Sequence, residues 1–133
     1  MNIKKRKSFS VKERLRSFKY AFNGLKTLIE EEHNARIHIA TTIFTIALGV
    51  AFNISATEWL AVTILIGLVI CTETINSAIE NICDFVSPGK HCSIRKIKDL
   101  SAAAVLLASI TAVIGGIIIF LPKLCDFFAN IAD

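Results

Sequence analysis

One stretch limits what this chain can fold into. Residues 59–72 carry no charge, and directly behind them come Glu73, Asn76, Glu80 and Asp84. The spacing of +3, +4, +4 puts these four polar side chains on one face of a helix. Together, residues 59–86 are long enough to read as a membrane helix. Ionisable groups inside such a helix are costly, so they face a bundle interior or a site and mark function. Hydrogen bonding to neighbouring helices alone is the plainer explanation. It is disfavoured because three carboxylates need a cation or a proton to coexist.

The rest of the chain agrees with a membrane setting. Of the 133 residues 53% are hydrophobic, and the mean hydropathy is +0.59, too apolar for a small soluble domain. Three spans are expected, at about 35–52, 59–86 and 100–121, the last followed by Pro122. The first is short for a bilayer core that takes roughly 20 helical residues. No apolar run of signal-peptide type follows the basic N-terminus, so no cleavable signal is expected.

Charge sets the orientation. Ten of the fifteen Lys and Arg residues precede the first span or stand at its very start: Lys4, Lys5, Arg6, Lys7, Lys12, Arg14, Arg16, Lys19, Lys26 and Arg36. Lys90, Arg95, Lys96 and Lys98 lie between the second and third spans, residues 53–58 have none, and Lys123 stands alone in the tail. The excess of positive charge on cytoplasmic loops then places the N-terminus and the second loop inside, and the first loop and C-terminus outside. The net charge of +4 fits anionic lipid attraction better than nucleic acid, for which no basic-aromatic pattern exists. Cys71, Cys83, Cys92 and Cys125 make no CxxC pair and are expected as fillers or free thiols.

Upstream, residues 1–10 are basic and expected to be mobile, and one domain fills 11–133. Val11, Leu15, Phe18, Phe22, Leu25 and Ile29 recur at helical spacing opposite Lys12, Arg16, Lys19 and Lys26. Ser10 and Glu13 are spaced as a capping box. A basic amphipathic helix over 11–34 suits the membrane interface. With Trp59 at the outer boundary, a rise of 1.5 Å per residue puts Glu73 about 21 Å across and Glu80 about 31 Å. Topology then brings Glu32, Glu80, Asp84, Lys98 and Asp99 to one membrane surface, with Glu73 slightly deeper. Ser101, Ala102, Ala103 and Ala104, then Gly115 and Gly116, allow close helix packing in lipid, and so small a bundle is expected to oligomerise.

Carboxylates at a water-lipid boundary can hold Mg²⁺, a deeper one can take a proton from a hydroxyl, and lysine can neutralise phosphate. These are the parts of phosphoryl transfer. There is no GxxxxGK phosphate loop. A channel or proton-linked transporter would carry carboxylates on into the outer half, where 59–72 is apolar. A structural subunit would not need Lys98 and Asp99 opposite Glu80.

At these residues the chain resembles the small prokaryotic diacylglycerol kinases, which include undecaprenol kinases. Glu73, Asn76, Ser77, Ala78, Glu80 and Asp84 match the family pattern in order and spacing, with Cys83 where valine is usual. The likeness extends to 17–25, to Glu32 with Arg36, to His91 and to the run from Lys98 through Leu106, about residues 13–121 in all. It implies an all-α membrane enzyme, a surface helix plus three spans assembled as a homotrimer with shared sites, in the bacterial inner membrane. It implies ATP-dependent phosphorylation of diacylglycerol or undecaprenol, with Mg²⁺ as cofactor. Glu73 corresponds to the general base, which also meets the lipid. Glu32 and Glu80 correspond to the metal ligands. Tyr20, Glu32, Asn76, Glu80, His91, Lys98 and Asp99 fall at ATP contacts, and Arg36 at a lipid contact. Arg14 or Arg16 would add a basic contact.

Overall fold

The computed structural model describes residues 10–89 and 91–132, and the expected mobile basic segment falls almost wholly outside them. Four helices follow in order: α1 Val11–Glu31, α2 His33–Ala51, α3 Ala56–Val86 and α4 Cys92–Ala132. Three are long and apolar enough to cross a membrane: His33–Ala51, Ala56–Val86 and Cys92–Ile131. In lipid the helix is the favoured answer for such segments, because it satisfies every backbone polar group internally.

Each boundary has a local cause. Ser10 accepts the amide of Glu13 and starts α1. The helix stops three residues sooner than the pattern suggests, because Glu32 adopts an extended backbone (φ −103°, ψ 119°) between α1 and α2. The Glu32 amide closes α1 on Leu28, and its carbonyl accepts from Arg36 at the start of α2. Arg36 also reaches back with its guanidinium to the carbonyls of Ile29 (2.8 Å) and Glu30 (2.5 Å). A cation at these end carbonyls complements the dipole of α1.

α2 ends in a Schellman motif. Asn53 sits in the left-handed region (φ 47°), its amide bonds Val50, and the Ile54 amide bonds Gly49. Ile54 is then buried against Leu48. Ser55 and Glu58 form a reciprocal capping box at the start of α3, a pairing the charge pattern does not reveal.

α4 departs most from expectation. It begins at Cys92 and passes through Pro122, where 100–121 was expected. Pro122 removes one helical donor, but contacts beyond it keep the helix going. The Lys123 ammonium meets the Glu58 carboxylate at 3.1 Å, and Phe127 packs edge-on to Phe52 with centroids 6.1 Å apart.

α3 and α4 pair along their length as an antiparallel hairpin, α2 packs on α3, and α1 touches α2 and α3 near the elbow at Glu32. Ion pairs mark the hairpin's two ends: Glu58–Lys123 at the chain turn 52–55, Asp84–Lys98 where α3 ends and α4 begins. Between Glu58 and Asp84, α3 rises about 39 Å, more than a hydrocarbon core of about 30 Å. The dry core of Ile54, Val62, Ile119 and Phe120 lies toward the Glu58 end. Of the small residues expected to pack, Gly115 is pressed against Leu65, whereas Gly116 faces open space and Ala102–Ala104 are exposed.

Candidate functional site

Toward the other end of α3 the buried face changes from apolar to polar. Glu73 is 1% exposed, Asn76 7% and Ser77 8%, and Glu73 is the largest fully buried side chain among the described residues. Burying a carboxylate this completely is costly without partners. Glu73 Oε2 and Asn76 Oδ1 have no hydrogen-bond partner among the described residues. Two orphaned oxygens on adjacent turns mark where a donor or cation belongs.

Two further carboxylates reach this face. Asn76 Nδ2 donates to Glu80 Oε1 at 3.2 Å. Ser77 Oγ donates to Glu32 Oε1 at 3.0 Å, across a sequence separation of 45 residues. Along α3, Ser77 lies about 6 Å below Glu73 and about 4.5 Å above Glu80, so Glu32 arrives between them. His38, Glu32 and Glu80 are the ionisable neighbours whose charges bear on Glu73.

Other expected site residues sit farther along. Lys98 Nζ pairs with Asp84 Oδ1 at 2.6 Å, near enough to Glu80 for their charges to interact. Asp99 is exposed and pairs with Arg95 on α4 at 3.8 Å. His91 is exposed beside the turn, its Nδ1 accepting from the Ser93 amide at 3.3 Å. Tyr20 is exposed on α1. The Arg36 side chain is occupied in closing the α1–α2 elbow. The fold therefore unites Glu32, Glu73, Asn76 and Glu80, with Lys98 one step removed, and leaves Tyr20, His91 and Asp99 on the surface.

An apolar groove of about 440 Å³ runs between α2, α3 and α4, lined among others by His38, Thr42, Leu65, Val69, Val113 and Phe120. Val69 lies one turn from Glu73, so the groove ends beside the buried carboxylate.

No three His, Cys, Asp or Glu side chains among the described residues form a metal-ligand group. A pair of carboxylates suffices for Mg²⁺, which commonly takes one or two from the protein and the rest from waters and substrate phosphates. The oxygen-only donor set and the unpartnered Asn76 Oδ1 suit such a hard cation.

The model of the prokaryotic diacylglycerol kinase family matches residues 19–120. The chain belongs to the prokaryotic diacylglycerol kinase family. An undecaprenol kinase of Bacillus subtilis is 32% identical over 109 residues, covering 82% of this chain and 89% of that protein. A diacylglycerol kinase of Synechocystis sp. is 34% identical over 109 residues, covering 81% of this chain and 62% of that longer protein. The chain is thus a lipid kinase of this family, and its carboxylate cluster lies wholly within the matched span.

One neighbour of the cluster and one of its contacts are not evident from the sequence. His38 is the one ionisable residue in 37–57, which by the rule for charges in apolar spans was a usable signal. The Ser77–Glu32 bond left no local trace, because its partners meet only through packing of the elbow on α3.

Proposed function

We propose that this kinase transfers the γ-phosphate of Mg²⁺-bound ATP to the primary hydroxyl of a membrane lipid, diacylglycerol or undecaprenol. The observation that carries this reading is Glu73: buried, with one carboxylate oxygen unpartnered, between an apolar groove and the acidic side chains of Glu32 and Glu80. The alkyl part of the lipid lies along the groove and its hydroxyl meets Glu73. Glu73 takes the hydroxyl proton as the oxygen bonds to the γ-phosphorus and the bond to ADP breaks. Glu32 and Glu80 would hold a magnesium ion, which would supply charge neutralisation to the phosphate oxygens. Asn76 holds Glu80 in place through its Nδ2. Lys98, released from Asp84, offers its ammonium to phosphate, with Asp99, His91 and Tyr20 as outer nucleotide contacts.

The polar cluster belongs on the cytoplasmic side of the bacterial inner membrane, where ATP is found, with α1 on the membrane surface and the C-terminus outside. The small protomer exposes much apolar surface, and a homotrimer with shared sites accounts for part of it. A channel is disfavoured, because α3 carries no charged residue between Glu58 and Glu73 and the groove beside it is lined mostly by apolar side chains.

The test is transfer of label from γ-labelled ATP into diacylglycerol and into undecaprenol, each in the same mixed micelles with the purified protein. Label in either lipid supports the reading, and the ratio of kcat/KM values names the substrate. No label in either, with magnesium present, rejects it.

A further inference from the structure

We infer that Ser77 is a positioning residue: its hydroxyl fixes Glu32 over α3 and so sets how tightly the site takes a divalent cation. The inference rests on the proposed reading of Glu32 and Glu80 as metal ligands.

Glu32 occupies an unusual place. It is the residue between two helices and stands at the N-cap of α2, where a side-chain oxygen ordinarily accepts an amide of its own helix. The Glu32 side chain makes no such bond. It turns instead across to α3, where Ser77 Oγ donates to its Oε1 at 3.0 Å. An extended backbone residue with an uncapped carboxylate would sample several rotamers, and a long acidic side chain pays entropy to be held in one. Ser77 makes that payment in advance. Its acceptor is a carboxylate, so the bond is of the stronger, charge-assisted kind, and Ser77, at 8% exposure, is largely shielded from competing water.

The elbow is held from its other side by Arg36, whose guanidinium bonds the carbonyls of Ile29 and Glu30. Arg36 fixes the backbone of the pivot and Ser77 fixes its side chain. The contact constrains one Glu32 oxygen and leaves the second for a cation between Glu32 and Glu80. Partners that orient metal ligands in this way typically affect metal affinity by about 10- to 100-fold. Ser77 itself touches neither lipid nor nucleotide in this account, so it acts through Glu32.

The experiment uses the full chain in lipid nanodiscs, with Ser77→Ala, Ser77→Thr, Glu32→Gln and Glu80→Gln. Mn²⁺ binding in the presence of a non-hydrolysable ATP analogue is followed by electron paramagnetic resonance, and the Mg²⁺ dependence of turnover is measured alongside. Ser77→Ala is expected to weaken Mn²⁺ binding and raise half-saturating Mg²⁺ by roughly tenfold, while kcat at saturating Mg²⁺ stays within about twofold. Ser77→Thr, which keeps the hydroxyl, is expected to restore parental affinity. If Glu32→Gln and Glu80→Gln weaken binding but Ser77→Ala does not, the Ser77 role is overturned and the metal reading stands. If none of the variants changes Mn²⁺ binding, the metal reading itself fails. Loss of affinity in Ser77→Ala that Ser77→Thr does not rescue also overturns the inference. Should Ser77→Ala not assemble, Ser77→Cys, of similar size with a weaker donor, is expected to bind between parent and Glu32→Gln, and parental binding overturns the role.

Discussion

At the scale of single residues, Glu73 concentrates the problem of this site. A buried carboxylate with an unpartnered oxygen is a stability liability, tolerated where chemistry uses it. Glu73→Gln keeps the shape and removes the proposed base. We predict a fall in kcat of about 10²- to 10⁴-fold, with the thermal midpoint of the detergent-solubilised protein equal to or above the parent's. Near-parental turnover would remove Glu73 from the base role. Asn76→Leu leaves Glu80 without its 3.2 Å donor, so half-saturating Mg²⁺ should rise several-fold with little change in KM for lipid. A magnesium titration that overlays the parent's would refute this. Glu73, Asn76 and Glu80 were legible in the sequence because helical spacing alone puts them on one face. The family resemblance alone assigned Glu32 to the metal, and topology made it legible only as a residue of the same membrane surface. Its actual place between Glu73 and Glu80 depends on a turn of extended backbone and a hydroxyl 45 residues away, and neither leaves a periodic trace. Arg36 shows the converse: a cation next to a site that the fold uses on helix-end carbonyls.

At the scale of elements, the apolar runs announced α2, α3 and α4 but not their ends. Pro122 looked like a stop, yet α4 continues because Glu58–Lys123 and Phe52–Phe127 hold its last turns to the neighbouring helices. Composition also could not say which glycine mattered. A Cβ on Gly115 would run into Leu65 Cδ1, whereas one on Gly116 meets nothing. We therefore predict opposite outcomes for neighbouring substitutions. Gly115→Ala should cost about 1–3 kcal/mol through overpacking. Gly116→Ala should be neutral or stabilising by up to about 1 kcal/mol from helix propensity. Reversible unfolding in mixed micelles distinguishes them, and equal midpoints would mean that α3 and α4 do not meet at this register. The Glu58–Lys123 pair is about three-quarters buried on each side, but it lies at the end of the bundle away from Glu73. Lys123→Met should thus lower stability by about 1 kcal/mol or less while leaving kcat and the magnesium requirement unchanged. A changed magnesium requirement would show that the two ends are coupled.

At the scale of the whole molecule, the distribution of charge and the placement of the cluster must agree. Positive residues crowd the two segments flanking the carboxylate end, and the loop 53–58 at the opposite end has none. If the first are cytoplasmic, ATP and the lipid hydroxyl meet at the inner leaflet. With the reverse orientation, the same cluster would face a compartment without ATP and the kinase reading would have no phosphate donor. The chain carries its own probes for this. Cys92 opens α4 at the Asp84–Lys98 end and Cys125 lies past Pro122 at the Glu58 end, both exposed and both unpaired. In variants retaining one of the two thiols, with the other cysteines replaced by serine or alanine, a membrane-impermeant maleimide added to intact cells should label Cys125. It should label Cys92 only after permeabilisation. Both variants need to retain kinase activity, so that the labelled population is the functional one. Labelling of Cys92 from outside would invert the orientation. Together with active enzyme it would break the link between the carboxylate cluster and cytoplasmic ATP.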